Sequence, residues 1–115
     1  MNTRAAISDL LKELGVPAHV RGYKYLRRAI EIVYEAPADT PGITTVIYPQ
    51  IAKEFGSSTS CVERSIRHAI EISWDRGNID KLNELFRYSH AAHRGKATNG
   101  EYIATVADYL YVVLS

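Results

Sequence analysis

Cysteine is nearly missing from this chain. Cys61 stands alone, so no disulfide can close internally, and nothing in the cysteine content argues for an oxidising compartment. Long apolar runs are missing too. The longest, near Tyr109 to Leu114, falls far short of the roughly 20 residues that a bilayer-spanning helix needs. The opening residues, Met1-Asn2-Thr3-Arg4, lack the apolar stretch and cleavage site of a secretory signal. A cytoplasmic protein without membrane contact is the expectation. Charge of one sign is scarce as well: 14 Lys and Arg against 13 Asp and Glu leave a net charge of +1. A strongly basic domain would point to nucleic acid by its total charge. Here any such footprint has to come from where the basic residues lie. No phosphate-cradling glycine loop occurs, and no useful length alternates apolar and polar residues as a half-buried strand does.

What is present is helical spacing. Ile7, Leu10, Leu11 and Leu14 form a first stripe, closed by Gly15-Val16-Pro17. A second runs through Tyr23, Leu26, Ile30 and Val33, with Arg21, Lys24, Arg27, Arg28 and Glu31 on the other faces. Residues Ala36 to Gly42 read as a loop rich in Pro and small residues. A short helix is expected from Ile43 to Phe55, stopped at Gly56, and a longer one from about Thr59 to Arg76, stopped at Gly77. Asn78 suits the N-cap of a fifth helix carrying Ile79, Leu82, Leu85 and Phe86. After a polar stretch from Tyr88 to Ala97, Thr98 and Glu101 have capping-box spacing for a last helix burying Ile103, Val106, Leu110 and Val113. The expectation is an all-α fold, a single six-helix domain over residues 1–115, with a helix-turn-helix at about 43–76.

A helix-turn-helix needs a small residue where its helices cross, a glycine to turn the chain, and an aliphatic on the inner face of the second helix. Ala52, Gly56 and Val62 meet those needs, although Ser65 occupies a position where an aliphatic is expected. At about 100° per residue, Val62, Ile66, Ala69, Ile70 and Ser73 share one side of the second helix. Arg64, Arg67 and Glu71 lie opposite, flanked by Ser60, Glu63 and His68. Arginine bonds bidentately to guanine O6 and N7 in the major groove, so Arg64 and Arg67 are candidate base readers. The same pattern fits a solvated helix face on which Arg67 pairs with Glu71. Glu63 suits either acceptance from cytosine N4 or, with Ser60, a capping box. His68 suits a base contact or a half-buried polar site. Lys24 and Arg28, with Arg21 and Arg27, suit phosphate contacts or an ordinary wet face. Trp74 reads as core.

Signals for catalysis are poor. His90 and His93 have a spacing that metals tolerate, but no Cys or carboxylate pattern completes a site, and a polar loop explains them better. Cys61 with His68 lacks a third orienting group. No enzyme, metal or cofactor is expected. The rival to DNA binding is a helical protein-interaction module using the same helices without DNA.

Four blocks carry a resemblance: Val16-Pro17-Ala18-His19-Val20-Arg21-Gly22-Tyr23; Tyr48-Pro49-Gln50-Ile51-Ala52; Val62-Glu63-Arg64 through Ile66-Arg67-His68-Ala69-Ile70-Glu71; and Trp74-Asp75-Arg76-Gly77-Asn78-Ile79-Asp80. In register over nearly the whole chain, they resemble the C-terminal effector domain of the master sporulation transcription factors of endospore-forming bacteria. The resemblance implies a six-helix domain that binds TGTCGAA-type boxes and activates or represses genes of sporulation. It implies base reading by Glu63, Arg64 and Arg67, with His68 at the same surface. It also implies that Ile79 to Phe86, including Asp80 and Lys81, faces the sigma subunit of RNA polymerase. The family pattern has Arg at the position of Cys61, which removes a candidate phosphate contact, and Ala at that of Ser65. In the family a phosphorylated receiver controls dimerisation as part of a two-component system. No receiver lies within these residues, so a monomer in solution is expected. Two copies on adjacent boxes would form a tandem dimer on DNA, with the end of the last helix, Tyr109 to Leu114, as the candidate contact; the alternative is that Tyr111 and Val112 merely cap the core.

Overall fold

Capping residues set the helix boundaries. The computed structural model describes residues 2–36, 38–86 and 95–114. Asn2 accepts from the Ala5 N–H and opens α1, Thr3–Glu13. Asn78 Oδ1 accepts from the N–H groups of Asp80 and Lys81 and opens α5, Ile79–Phe86. Thr98 and Glu101 bond reciprocally, backbone N–H to side chain, at the start of α6, Asn99–Leu114. The other helices are α2, Arg21–Glu35; α3, Tyr48–Glu54; and α4, Thr59–Arg76. These six are the α-helices among the described residues, which contain no strand.

One expectation needs correction. Ile43 to Phe55 is not a single α-helix: a turn of π-helix, Ile43–Ile47, leads into α3. Pro49 has no N–H to give the Thr45 carbonyl, so an α-helical ladder cannot run through it. The backbone widens instead, with the Ile47 N–H bonding to Gly42 and the Tyr48 N–H to Ile43.

The helix α2 is central, packing against α1, α4 and α6. It crosses α4 at Gly22, where an added Cβ would collide with the Ser65 carbonyl. The unexpected Ser65 therefore lies at this close crossing, where its backbone rather than a bulky aliphatic makes the contact. Ile7, Leu11, Leu26, Ile30, Ile66 and Ile70 fill the core. At one end of it, Trp74 and Phe86 meet edge to face at 5.0 Å, beside Tyr102. The Tyr102 hydroxyl is buried and bonds the Ser73 hydroxyl at 2.8 Å.

Val113 also departs from expectation, being 57 % exposed. The inward position after Leu110 falls four residues on, at Leu114, which packs against the core. Tyr102 and Ala107 complete the buried face of α6. The stretch from Tyr88, with His90 and His93, lies mostly outside the described residues. No described helix is long and apolar enough to cross a membrane.

Candidate nucleic-acid interface

The turn between α3 and α4 is built from local hydrogen bonds. At the end of α3 the Ser57 N–H bonds to the Ala52 carbonyl at 2.8 Å and the Gly56 N–H to Lys53. This double closure requires a left-handed residue at Gly56, whose φ is +63°. Two residues later Ser58 begins α4, its hydroxyl accepting from the Cys61 N–H at 3.1 Å. Ser58, not Ser60, is thus the cap, and the capping-box reading of Ser60 with Glu63 does not hold. The helices α3 and α4 are consequently joined by a short link of defined geometry, with Ala52 and Val62 buried beneath it.

Val62, Ile66, Ala69, Ile70 and Ser73 face inward, as their spacing predicts. The polar face has three different kinds of residue on it. Arg64 is exposed and makes no hydrogen bond or ion pair among the described residues. Arg67 is held by Glu63, Nη1 to Oε1 at 2.7 Å. The expected partner, Glu71, bonds Lys96 instead and lies 3.9 Å from His68 Nδ1. His68 is exposed, as is Ser60, whose hydroxyl is 3.4 Å from that of Ser58.

Basic residues of α2 are engaged, Arg21 with α4, and Arg28 and Lys24 with α3 and the residue that follows it. Arg28 bonds Glu54 through two nitrogens, at 2.8 and 3.1 Å, and Glu31 through a third at 2.8 Å. Glu31 is buried and also accepts from Arg4. Burial works to raise its pKa, but the two guanidiniums prevail and hold the carboxyl below its ordinary value. Lys24 is exposed, its ammonium 5.4 Å from the centre of the Phe55 ring. Arg21 donates to Cys61 Sγ at 3.4 Å. Hydrogen bonds from Ser57, Arg21 and Ser65 draw the Cys61 thiol down to about 7. The Arg28–Glu31 pair has the i,i+3 spacing of helix neighbours, but neither Arg28–Glu54 nor Arg21–Cys61 has a signal in the sequence, because each joins separate helices.

The fifth helix divides its predicted surface residues. Ile79, 70 % exposed, and Asp80 face solvent. Lys81 is half-buried, paired with Glu13 and Glu84 and donating to the Tyr109 hydroxyl at 3.3 Å. Phe86 is corrected from surface to core: it is 2 % exposed, with its ring against Trp74 and Tyr102. The apolar side of an eight-residue helix has to cover the core somewhere, and Leu82 and Phe86 do so here.

A helix-turn-helix that presents exposed arginines, Arg64 and Arg67, on its second helix has the architecture of a DNA-binding domain. Residues 7–110 match the family model described as sporulation initiation factor Spo0A C terminal, and the chain belongs to that family. It is accordingly a DNA-binding transcription-regulation domain of the sporulation initiation system, a family of regulators rather than of enzymes.

Proposed function

We propose that residues 1–115 act as one effector domain in the cytoplasm, and that α4 enters the major groove of TGTCGAA-type boxes. The observation that supports this best is Arg64, exposed and without a partner among the described residues, with Arg67 one turn further along the same face. Both lie in the N-terminal half of α4, from which a recognition helix contacts base edges. Arg64 and Arg67 read guanines. Glu63 orients Arg67 or accepts from cytosine, and His68 lies beside them. Lys24 and Ser60 meet the backbone, while Arg28 reaches phosphate only by giving up Glu54.

Ile79 and Asp80 are the residues of α5 best placed to face the sigma subunit of RNA polymerase. Lys81 supports that surface from below. Tyr111 and Val112, both exposed at the end of α6, are the contact through which two copies bind cooperatively on tandem boxes. The free protein is a monomer.

Titration of a TGTCGAA duplex and a scrambled duplex at several salt concentrations tests this reading. A steep salt slope with preference for the box is expected. Absence of binding to both duplexes would favour a protein-interaction module instead. Sedimentation without DNA checks the monomer, and a stable free dimer would contradict it. An Asp80→Lys variant should keep its DNA affinity while lowering transcription from an activated promoter.

A further inference from the structure

Asn99, the first residue of α6, lies outside the helix-turn-helix yet touches both of its helices. The reciprocal bonds of Thr98 and Glu101 fix the first turn of α6. From there the Asn99 Nδ2 donates to the Tyr48 hydroxyl at 2.8 Å and to the Glu63 backbone carbonyl at 3.1 Å. Tyr48 is buried at the start of α3. Glu63 lies one turn before Arg67 on α4, and its side chain holds that arginine. A carbonyl oxygen can only accept, so the amide nitrogen of Asn99 must be the atom facing Glu63. One amide group thus ties the first helix of the motif, the recognition helix and the closing helix together at the Glu63–Arg67 pair.

We propose that Asn99 is a positioning residue for base reading: it fixes α4 against α3 at Glu63 and so sets where Arg67 points. The inference rests on the reading that Arg67 contacts bases. The role needs no contact of Asn99 with DNA. Its effect falls on discrimination between sequences, because a misaimed Arg67 still attracts phosphate but no longer meets O6 and N7 together. Asn99→Asp keeps the shape and removes the donor, setting an acceptor against the Glu63 carbonyl. Tyr48→Phe is the milder variant, removing one acceptor and leaving the bond to Glu63.

The test is a double-mutant cycle on the cognate-to-scrambled affinity ratio, with circular dichroism melting to confirm that each variant folds. Asn99→Asp should lower the ratio about five- to tenfold, and Tyr48→Phe about two- to threefold; the added carboxylate of Asn99→Asp weakens cognate and scrambled DNA alike, so the ratio is the readout, and Tyr48→Phe leaves scrambled affinity unchanged. In an Arg67→Ala background Asn99→Asp should lower it no further. Equal losses in both backgrounds, or a ratio unchanged in both single variants, would overturn the proposal. A second measurement separates its failure from that of the base-reading assignment. In the free protein, the guanidinium NMR signals of Arg67 should be distinct in the wild type and collapse toward those of a mobile arginine in Asn99→Asp. If Arg67→Ala alone keeps full discrimination, base reading by Arg67 fails. If the Arg67 signals are unmoved by Asn99→Asp, positioning fails whatever the DNA result.

Discussion

The basic residues of α2 and those of α4 look alike in the sequence and behave differently in the fold. Arg28 is chelated by two carboxylates, Arg21 rests on a thiol and Lys24 lies over an aromatic ring. On α4, Arg67 has one neighbour on its own helix and Arg64 has none among the described residues. A near-neutral protein can therefore still offer a positive surface, provided its carboxylates neutralise some cations and leave others alone. What matters for recognition is the set of charges not already spoken for.

Removing Arg64 should sharpen that contrast most. Arg64→Ala is expected to cost on the order of 1–3 kcal/mol of binding to the cognate box and to flatten sequence preference. Its thermal stability should stay unchanged, since it has no described partner to lose. Competition binding against base-substituted duplexes, run beside a melting curve, is the check. Full discrimination by the variant would end its assignment as a base reader.

The α2 network should respond in the opposite sense. Glu31→Ala leaves Arg28 and Arg4 without their shared, buried carboxylate. A loss of about 1–2 kcal/mol of stability is expected, discounted because both arginines reach solvent. Base discrimination should be unaltered. The Glu31 pKa is lowered in the fold, so its stabilising contribution is complete above the ordinary carboxylate range. It is lost as pH falls through the lower folded-state value. Denaturant melts between neutral and acid pH should therefore show a shallower acid decline in Glu31→Gln than in the wild type. Parallel curves would show that this pair does not govern the acid limb.

Cys61 gives a smaller and more local readout of the same α2–α4 boundary. With its pKa drawn down to about 7, its alkylation by iodoacetamide should reach half its limiting rate near that pH. The thiolate is the form favoured by folding, so this contribution grows as pH rises above that value. Arg21→Ala should move the midpoint upward. A midpoint already in the ordinary thiol range in the wild type would show that the Arg21 contact has no electrostatic effect.

Lys24→Ala should produce the smallest change. Its exposed contact with Phe55 is worth about 0.5–1 kcal/mol of stability. Cognate and scrambled DNA should weaken alike, with a slightly reduced salt slope. A selective loss on cognate DNA would move Lys24 into the base-reading set and blur the distinction between the two helices.

Much of this arrangement is legible along the chain because its causes lie within a few residues. Asn78, Thr98 with Glu101, and Gly56 each satisfy backbone groups of an adjacent turn, and the inward set of α4 follows from helical period alone. Even the break at Pro49 has a local cause in the missing N–H, although apolar spacing continued across it. Local chemistry fails where two positions are equally compatible with it. Val113 and Leu114 both continue the spacing from Leu110, and only the packed neighbours select Leu114.

The sequence by itself thus determined the helical periodicity, the caps at Asn78 and at Thr98 with Glu101, the glycine turn after α3, and the arginine-bearing face of α4. Tertiary structure alone decided which charges were paired between helices, that Phe86 points inward, and that Asn99 reaches Tyr48 and Glu63 across separations of 51 and 36 residues. The physical reason is range. Helix periodicity, capping and same-helix ion pairs act over one or two turns, whereas an ion pair between helices or an amide clamp exists only once distant segments have packed, and no spacing along the chain encodes that distance.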